Sequence, residues 1–180
     1  MGIVSEADRK TLLDKIRNVP DFPKPGIQFK DITPMLGDPD TLDLTATLLA
    51  KPFSGKKVDF VAGLESRGFL FGPLLAREMD AGFIPVRKPG KLPAETLSFE
   101  YELEYGTDSL EVHKDALKTG ANIIIHDDLI ATGGTALAAV KLVEKLGGNI
   151  IGFSFIMELG SLKGKDILPS DVPYHCILTV

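Results

Sequence analysis

Ile123-Ile124-Ile125-His126-Asp127-Asp128-Leu129-Ile130-Ala131-Thr132-Gly133-Gly134-Thr135 decides how this chain folds. Its apolar opening predicts a buried strand over 121–126. Two adjacent carboxylates follow, then a turn of small residues, then a helix over 135–146. Leu137, Val140, Val143 and Leu146 give that helix its inward face, and Gly147-Gly148 stops it. In open α/β sheets, ligands bind at the carboxyl ends of strands, which is where this segment lies. The turn's backbone N–H groups and the helix N-terminus suit a phosphate. Thr132 and Thr135 add hydroxyl donors, and Ala131, Gly133 and Gly134 allow close approach. Asp127 and Asp128 are acceptors suited to a sugar diol. The residues therefore point to a sugar phosphate. Neither a Walker A loop nor a G-x-G-x-x-G fingerprint occurs in the chain.

Working outward, apolar runs predict further strands over 58–63, 82–86, 149–157 and 175–180. Helices are expected over 69–79 and from Asp38-Pro39 to about Lys51. Ser5 and Asp8 open an N-terminal helix whose stripe of Leu12, Leu13, Ile16 and Val19 runs to Pro20. Residues 20–37 read as an ordered loop, 87–96 as a loop, 97–105 as a hairpin arm and 160–173 as loop-rich. Strands alternating with helices imply an α/β fold with a mainly parallel sheet covered on both faces.

The chain has 180 residues, enough for one domain. Its net charge of −5 argues against a general nucleic-acid surface. The longest apolar run is far short of a membrane span, and no leader pattern opens the chain. The single cysteine, Cys176, excludes an internal disulfide or a zinc cluster. These features predict a cytoplasmic protein with no membrane or nucleic-acid partner. His113, His175 and Cys176 lack partners at metal-ligand spacing and read as structural.

The quoted segment resembles the 5-phosphoribosyl-1-pyrophosphate (PRPP) signature of the type I phosphoribosyltransferases. His126 departs from it, since that position is usually apolar; it reads as a side chain on the less buried face. Other segments are similar to adenine phosphoribosyltransferases, in order along the chain. They are 22–34 (FPKPGIQFKDITP), 63–73 (GLESRGFLFGP), 86–93 (VRKPGKLP), 103–106 (LEYG) and 158–164 (ELGSLKG).

The resemblance implies the type I phosphoribosyltransferase fold in a single domain, 1–180. Residues 1–37 would form an N-terminal helix and base-binding hood, and 88–106 a mobile flap. It implies that adenine and PRPP give AMP and pyrophosphate in purine salvage, with Mg²⁺ held mainly by substrate and water and no direct protein ligand. The family is commonly homodimeric. Asp127, Asp128 and the 131–135 turn would bind ribose phosphate, and Glu65, Ser66 and Arg67 would form the pyrophosphate loop around a non-proline cis peptide. A leaving group with several negative charges needs cations, which Arg67, Arg87, Lys88 and Lys91 can supply. Gln28, Phe29 and Lys30 would hold adenine, with Phe29 stacking on the ring. Lys30 replaces an arginine common there. Glu104 is the acid/base candidate, beside Tyr105 on the flap. Lys163 and Gly164 would lie near the base pocket. The alternatives are a transferase for another base, or a PRPP-sensing regulator of the same fold.

Overall fold

The computed structural model describes residues 3–102 and 107–180, with Glu102 described by its backbone alone. Five parallel strands form the central sheet: β3 (Phe60–Leu64), β4 (Gly82–Val86), β7 (Asn122–Ile130), β8 (Asn149–Glu158) and β9 (Tyr174–Thr179), in the order β4-β3-β7-β8-β9. Two antiparallel pairs flank it, β1 (Arg17–Pro20) with β2 (Gln28–Asp31) and β5 (Thr96–Glu102) with β6 (Thr107–His113). The helices are α1 (Glu6–Leu13), α2 (Thr33–Leu36), α3 (Pro39–Ala50), α4 (Gly68–Glu78) and α5 (Gly134–Lys145). This is the α/β architecture expected from the sequence.

Alternation along β7 builds two cores. Ile123 and Ile125 face α5 and the β5–β6 hairpin, with Leu64, Leu142 and Phe155. Ile124 faces the opposite layer, with Leu12 of α1, Leu49 of α3 and Leu75 of α4. Helices start where their caps direct. Ser5 and Asp8 close a reciprocal capping box, and Asp38 accepts from the amides of Asp40 and Thr41 ahead of Pro39.

Three segments differ from the sequence reading. The first helix ends at Leu13, and Val19 lies in β1 rather than on its stripe. Pairing to β2 overrides the helical spacing, because four residues gain cross-strand partners that an isolated turn lacks. Residues 20–37 therefore contain β2 and α2 rather than continuous loop. The strand carrying the two carboxylates runs on to Ile130, since β8 pairs with it as far as Glu158. His126 is fully buried, not on a less buried face. Its Nδ1 lies 2.8 Å from the Ser154 carbonyl. A carbonyl only accepts, so Nδ1 carries the proton. His126, Ser154 and His175 are in register across β7, β8 and β9. Ser154 and His175 reach on to the carbonyls of Leu49 and Leu48 at the end of α3 (3.0 and 3.1 Å). Burial lowers the His126 pKa to about 4, so the imidazole is neutral near pH 7. His175 is structural, as expected, and burial raises the Cys176 thiol pKa to about 12. No helix among the described residues is long and apolar enough to cross a membrane.

Candidate functional site

The sheet order places the site. From β3 the chain crosses through α4 to β4; from β7 it crosses through α5 to β8 on the other side. The loops leaving β3 and β7 diverge, opening a crevice at the carboxyl ends of these neighbours. Glu65-Ser66-Arg67 follows β3, and Asp127-Asp128 lies near the end of β7.

The strand pleat sends the two aspartates to opposite faces. Asp127 joins Ala131, Thr132, Gly133 and Thr135 around a cleft of about 220 Å³. Gly133 caps α5 with φ 86°, and a Cβ there would sit 2.3 Å from the Gly164 carbonyl. A Cβ on Gly164 would lie 2.2 Å from the Ala131 carbonyl. The two glycines therefore let residues 160–167 pack onto the turn, with Gly164 against Ala131 and Gly133.

Asp128 faces the other way and is almost fully buried. Its Oδ2 is 3.2 Å from Arg67 Nε, too poorly aligned to count as a hydrogen bond. Burial and the neighbouring Asp128 charge raise the Asp127 pKa well above the usual carboxylate range. Burial also raises that of Asp128, and the Arg67 guanidinium works against this. Each acid therefore gains from a nearby cation or hydroxyl donor.

Arg67 is a hub. Its Nη1 donates to the Lys30 carbonyl (3.2 Å), and its guanidinium stands 4.9 Å from the centre of the Phe29 ring. Phe29 is fixed edge-on by Phe22 at 5.1 Å. Phe22, Phe29, Ile32, Leu36, Arg67 and Leu70 line an apolar recess of about 420 Å³. The Lys30 ammonium turns away, donating to Asn18 at 2.7 Å. Its backbone, not its side chain, therefore faces the site. Gln28 opens β2 and is exposed.

Two of the cations found by the sequence reading, Arg87 and Lys91, converge on Glu65. Its carboxylate receives Arg87 (3.3 Å from both Nε and Nη2), the Lys88 amide (2.8 Å) and Lys91 Nζ (2.9 Å). Burial opposes this charge, but the Lys88 amide and the cations outweigh it and bring the pKa down to about 2. The Glu65–Ser66 peptide is cis. Lys88 Nζ pairs with Asp108 and lies 3.4 Å from the Tyr101 hydroxyl. The sequence reading missed Tyr101 and Asp108; the only signal was the alternation of Leu97, Phe99 and Tyr101 toward α5. Glu104 and Tyr105 lie outside the described residues.

A profile of the phosphoribosyl transferase domain matches residues 36–174. An adenine phosphoribosyltransferase from Thermoanaerobacter sp. (strain X514) is 59% identical over 150 residues, covering 83% of this chain and 87% of that one. One from Thermobifida fusca is 49% identical over 174 residues, covering 96% and 98%. The solved adenine phosphoribosyltransferase of Rhodothermus marinus superposes with a TM-score of 0.94 at 52% identity, covering 98% of this chain and all of that one. The Saccharomyces cerevisiae enzyme, solved with an imino-altritol bisphosphate and adenine, gives 0.90 at 43% identity, covering 97% and 100%.

Proposed function

Because this chain belongs to the adenine phosphoribosyltransferases of the phosphoribosyl transferase family, we propose that the crevice between β3 and β7 carries out their reaction as follows. The enzyme transfers the phosphoribosyl group of PRPP to adenine, forming AMP and pyrophosphate in purine salvage. The arrangement around Arg67 supports this most strongly, because one guanidinium touches both the Phe29 side of the crevice and the Asp128 carboxylate. A base on Phe29 and a ribose on the aspartates would meet beside it.

The 5′-phosphate sits in the turn Ala131-Thr132-Gly133-Gly134-Thr135, held by amides and hydroxyls. Asp127 and Asp128 orient the ribose diol and favour positive charge on the sugar as the glycosidic bond breaks. Ser66, Arg67, Arg87, Lys88 and Lys91 stabilise the departing pyrophosphate, with Glu65 answering the Arg87 and Lys91 charges until it binds. Adenine stacks on Phe29 and is read by the backbone of Gln28 and Lys30, so the lysine at 30 leaves recognition intact. Glu104 balances the proton lost from adenine, and Tyr105 helps a flap over 88–106 exclude water. Within that flap, the buried Tyr101 anchors β5 on α5.

The donor set fits an Mg²⁺ carried by substrate and water. Asp127 faces the cleft, where its oxygens can accept hydrogen bonds from the waters of such an ion. When bound, Mg²⁺ offsets the pyrophosphate charge. A cytoplasmic homodimer in which 1–180 is one domain completes the proposal.

The test is pyrophosphate release from PRPP and Mg²⁺ with each base supplied separately. Release with adenine, and little with hypoxanthine, xanthine, uracil or orotate, is expected. Turnover with a 6-oxo purine would contradict the base assignment, because a 6-amino group offers a donor where a 6-oxo group offers an acceptor.

A further inference from the structure

The β5–β6 hairpin reaches the anion turn through a hydroxyl pair, Tyr101 and Thr135, whose oxygens are 3.3 Å apart. Tyr101 is only 9% exposed, so its hydroxyl depends on these protein partners. It also lies 3.2 Å from Asp108 Oδ2 and 3.4 Å from Lys88 Nζ. Four groups from the β4–β5 connection, β5, β6 and α5 thus form one chain. Thr135 is its end and lines the cleft.

We propose that Tyr101 is a positioning residue for phosphate binding, its hydroxyl moving from Asp108 to Thr135 when an anion enters the turn. The proton count fixes the empty arrangement. Burial opposes charge on Asp108, but hydrogen bonds from Lys88 and the Ser109 amide keep it ionised and below the usual range. An ionised carboxylate only accepts, so Tyr101 donates its one proton to Asp108. Lys88 has only donors, so it gives to the Tyr101 oxygen. Thr135 must then donate to Tyr101, presenting lone pairs to the cleft. That orientation repels a phosphate.

Anion binding reverses the pair. Thr135 rotates its O–H onto the phosphate, and Tyr101 rotates its O–H onto the freed Thr135 oxygen. Asp108 keeps Lys88 and the Ser109 amide. No proton leaves its oxygen. The result is a chain from Tyr101 through Thr135 to the phosphate, in which each bond polarises the next. Tyr101 thus acts on the anion through Thr135 without touching it.

The inference rests on the turn being the 5′-phosphate seat, and ribose 5-phosphate probes that seat without turnover. Calorimetric Kd values would be compared for the wild type, Tyr101→Phe, Thr135→Ala and the double variant. Phenylalanine keeps the buried ring. The relay predicts about fivefold tighter binding for Tyr101→Phe, because Thr135 then donates to the phosphate without the Tyr101–Asp108 bond having to break. It predicts no such gain when that change is added to Thr135→Ala, and a retained gain in Thr135→Ser. The KM for PRPP should fall about fivefold with kcat near wild type. An unchanged or weaker Kd in Tyr101→Phe, or a gain that persists in the double variant, would overturn the relay alone. A wild type that does not bind ribose 5-phosphate would overturn the phosphate seat and the relay with it.

Discussion

In the proposed reaction the turn after β7 and the cation cluster after β4 both receive negative charge, yet they are built from different materials. The turn uses backbone amides and hydroxyls, and its shape is fixed by the contact of Gly133 with the 160–167 segment. The cluster uses Arg87, Lys88 and Lys91, whose charges are already answered by Glu65 and Asp108. A backbone cradle comes with the fold and has no like charges to hold apart. A cluster of side-chain cations repels itself until an anion arrives, so the protein supplies internal ones. The backbone of the turn is therefore in place beforehand and only the Thr135 hydroxyl must rotate, whereas the cluster has to exchange its charged partners.

Arg67 stands between the two, and its removal should have the largest effect. Arg67→Ala should lower kcat/KM by about 10³, about 4 kcal/mol of transition-state stabilisation. Arg67→Lys should recover little, because a point charge cannot serve Asp128, the Lys30 carbonyl and the Phe29 ring together. Steady-state kinetics for both substrates checks this; a loss below tenfold would remove Arg67 from the centre of the account.

Gly133→Ala tests the fixed shape of the turn. Positive φ and a 2.3 Å approach to the Gly164 carbonyl should cost about 3 kcal/mol in denaturant unfolding. Ribose 5-phosphate binding should suffer more than pyrophosphate binding. Equal losses would mean that the two anion seats are not separable.

His126 sits beneath the acid pair and affects stability through pH. Its pKa in the fold is about 4, against 6.5 when free, so unfolding takes up a proton between those values. The neutral form is fully favoured above pH 6.5, and stability is lost as pH falls from there toward 4. Between pH 7.5 and 4.5 this amounts to about 2.5 kcal/mol. His126→Val should remove that part of the slope in urea unfolding; an unchanged slope would mean that the buried imidazole is not its source. His175, whose pKa burial also lowers, adds to the slope with the same sign.

Glu65→Gln should have the smallest effect. Stability should change by about 1 kcal/mol or less, as for other partly exposed ion pairs. Pyrophosphate should bind about threefold tighter, because its internal competitor has lost its charge. Weaker binding would show that Glu65 holds the cations in place more than it competes for them. The internal pairing also has a sign in pH. Since the Glu65 pKa is lowered to about 2, its contribution is complete above the usual carboxylate value and fades as pH falls toward 2.

Much of this was legible in the sequence, for physical reasons that also mark the limits. Ile123, Ile124 and Ile125 announce a strand buried on both faces, and Thr132-Gly133-Gly134-Thr135 announces a turn that approaches an anion. The reading stops the strand early because two acids look like loop, although β8 pairs the backbone regardless of side chain. Leu12, Leu13, Ile16 and Val19 have helical spacing, and only the distant β2 makes Val19 a strand residue. His126 looks exposable because its partner is a backbone carbonyl 28 positions away. The Glu65 cluster and the Tyr101–Thr135 contact join side chains far apart in sequence, so no local pattern reveals them.

The contrast between a backbone seat and a side-chain seat is tested most directly by salt. Calorimetry would give the Kd of ribose 5-phosphate and of pyrophosphate across a series of KCl concentrations. The account predicts a shallow dependence for ribose 5-phosphate and a steep one for pyrophosphate, because exposed cations are screened and fixed amides much less so. Equal slopes, or a steeper one for ribose 5-phosphate, would contradict it.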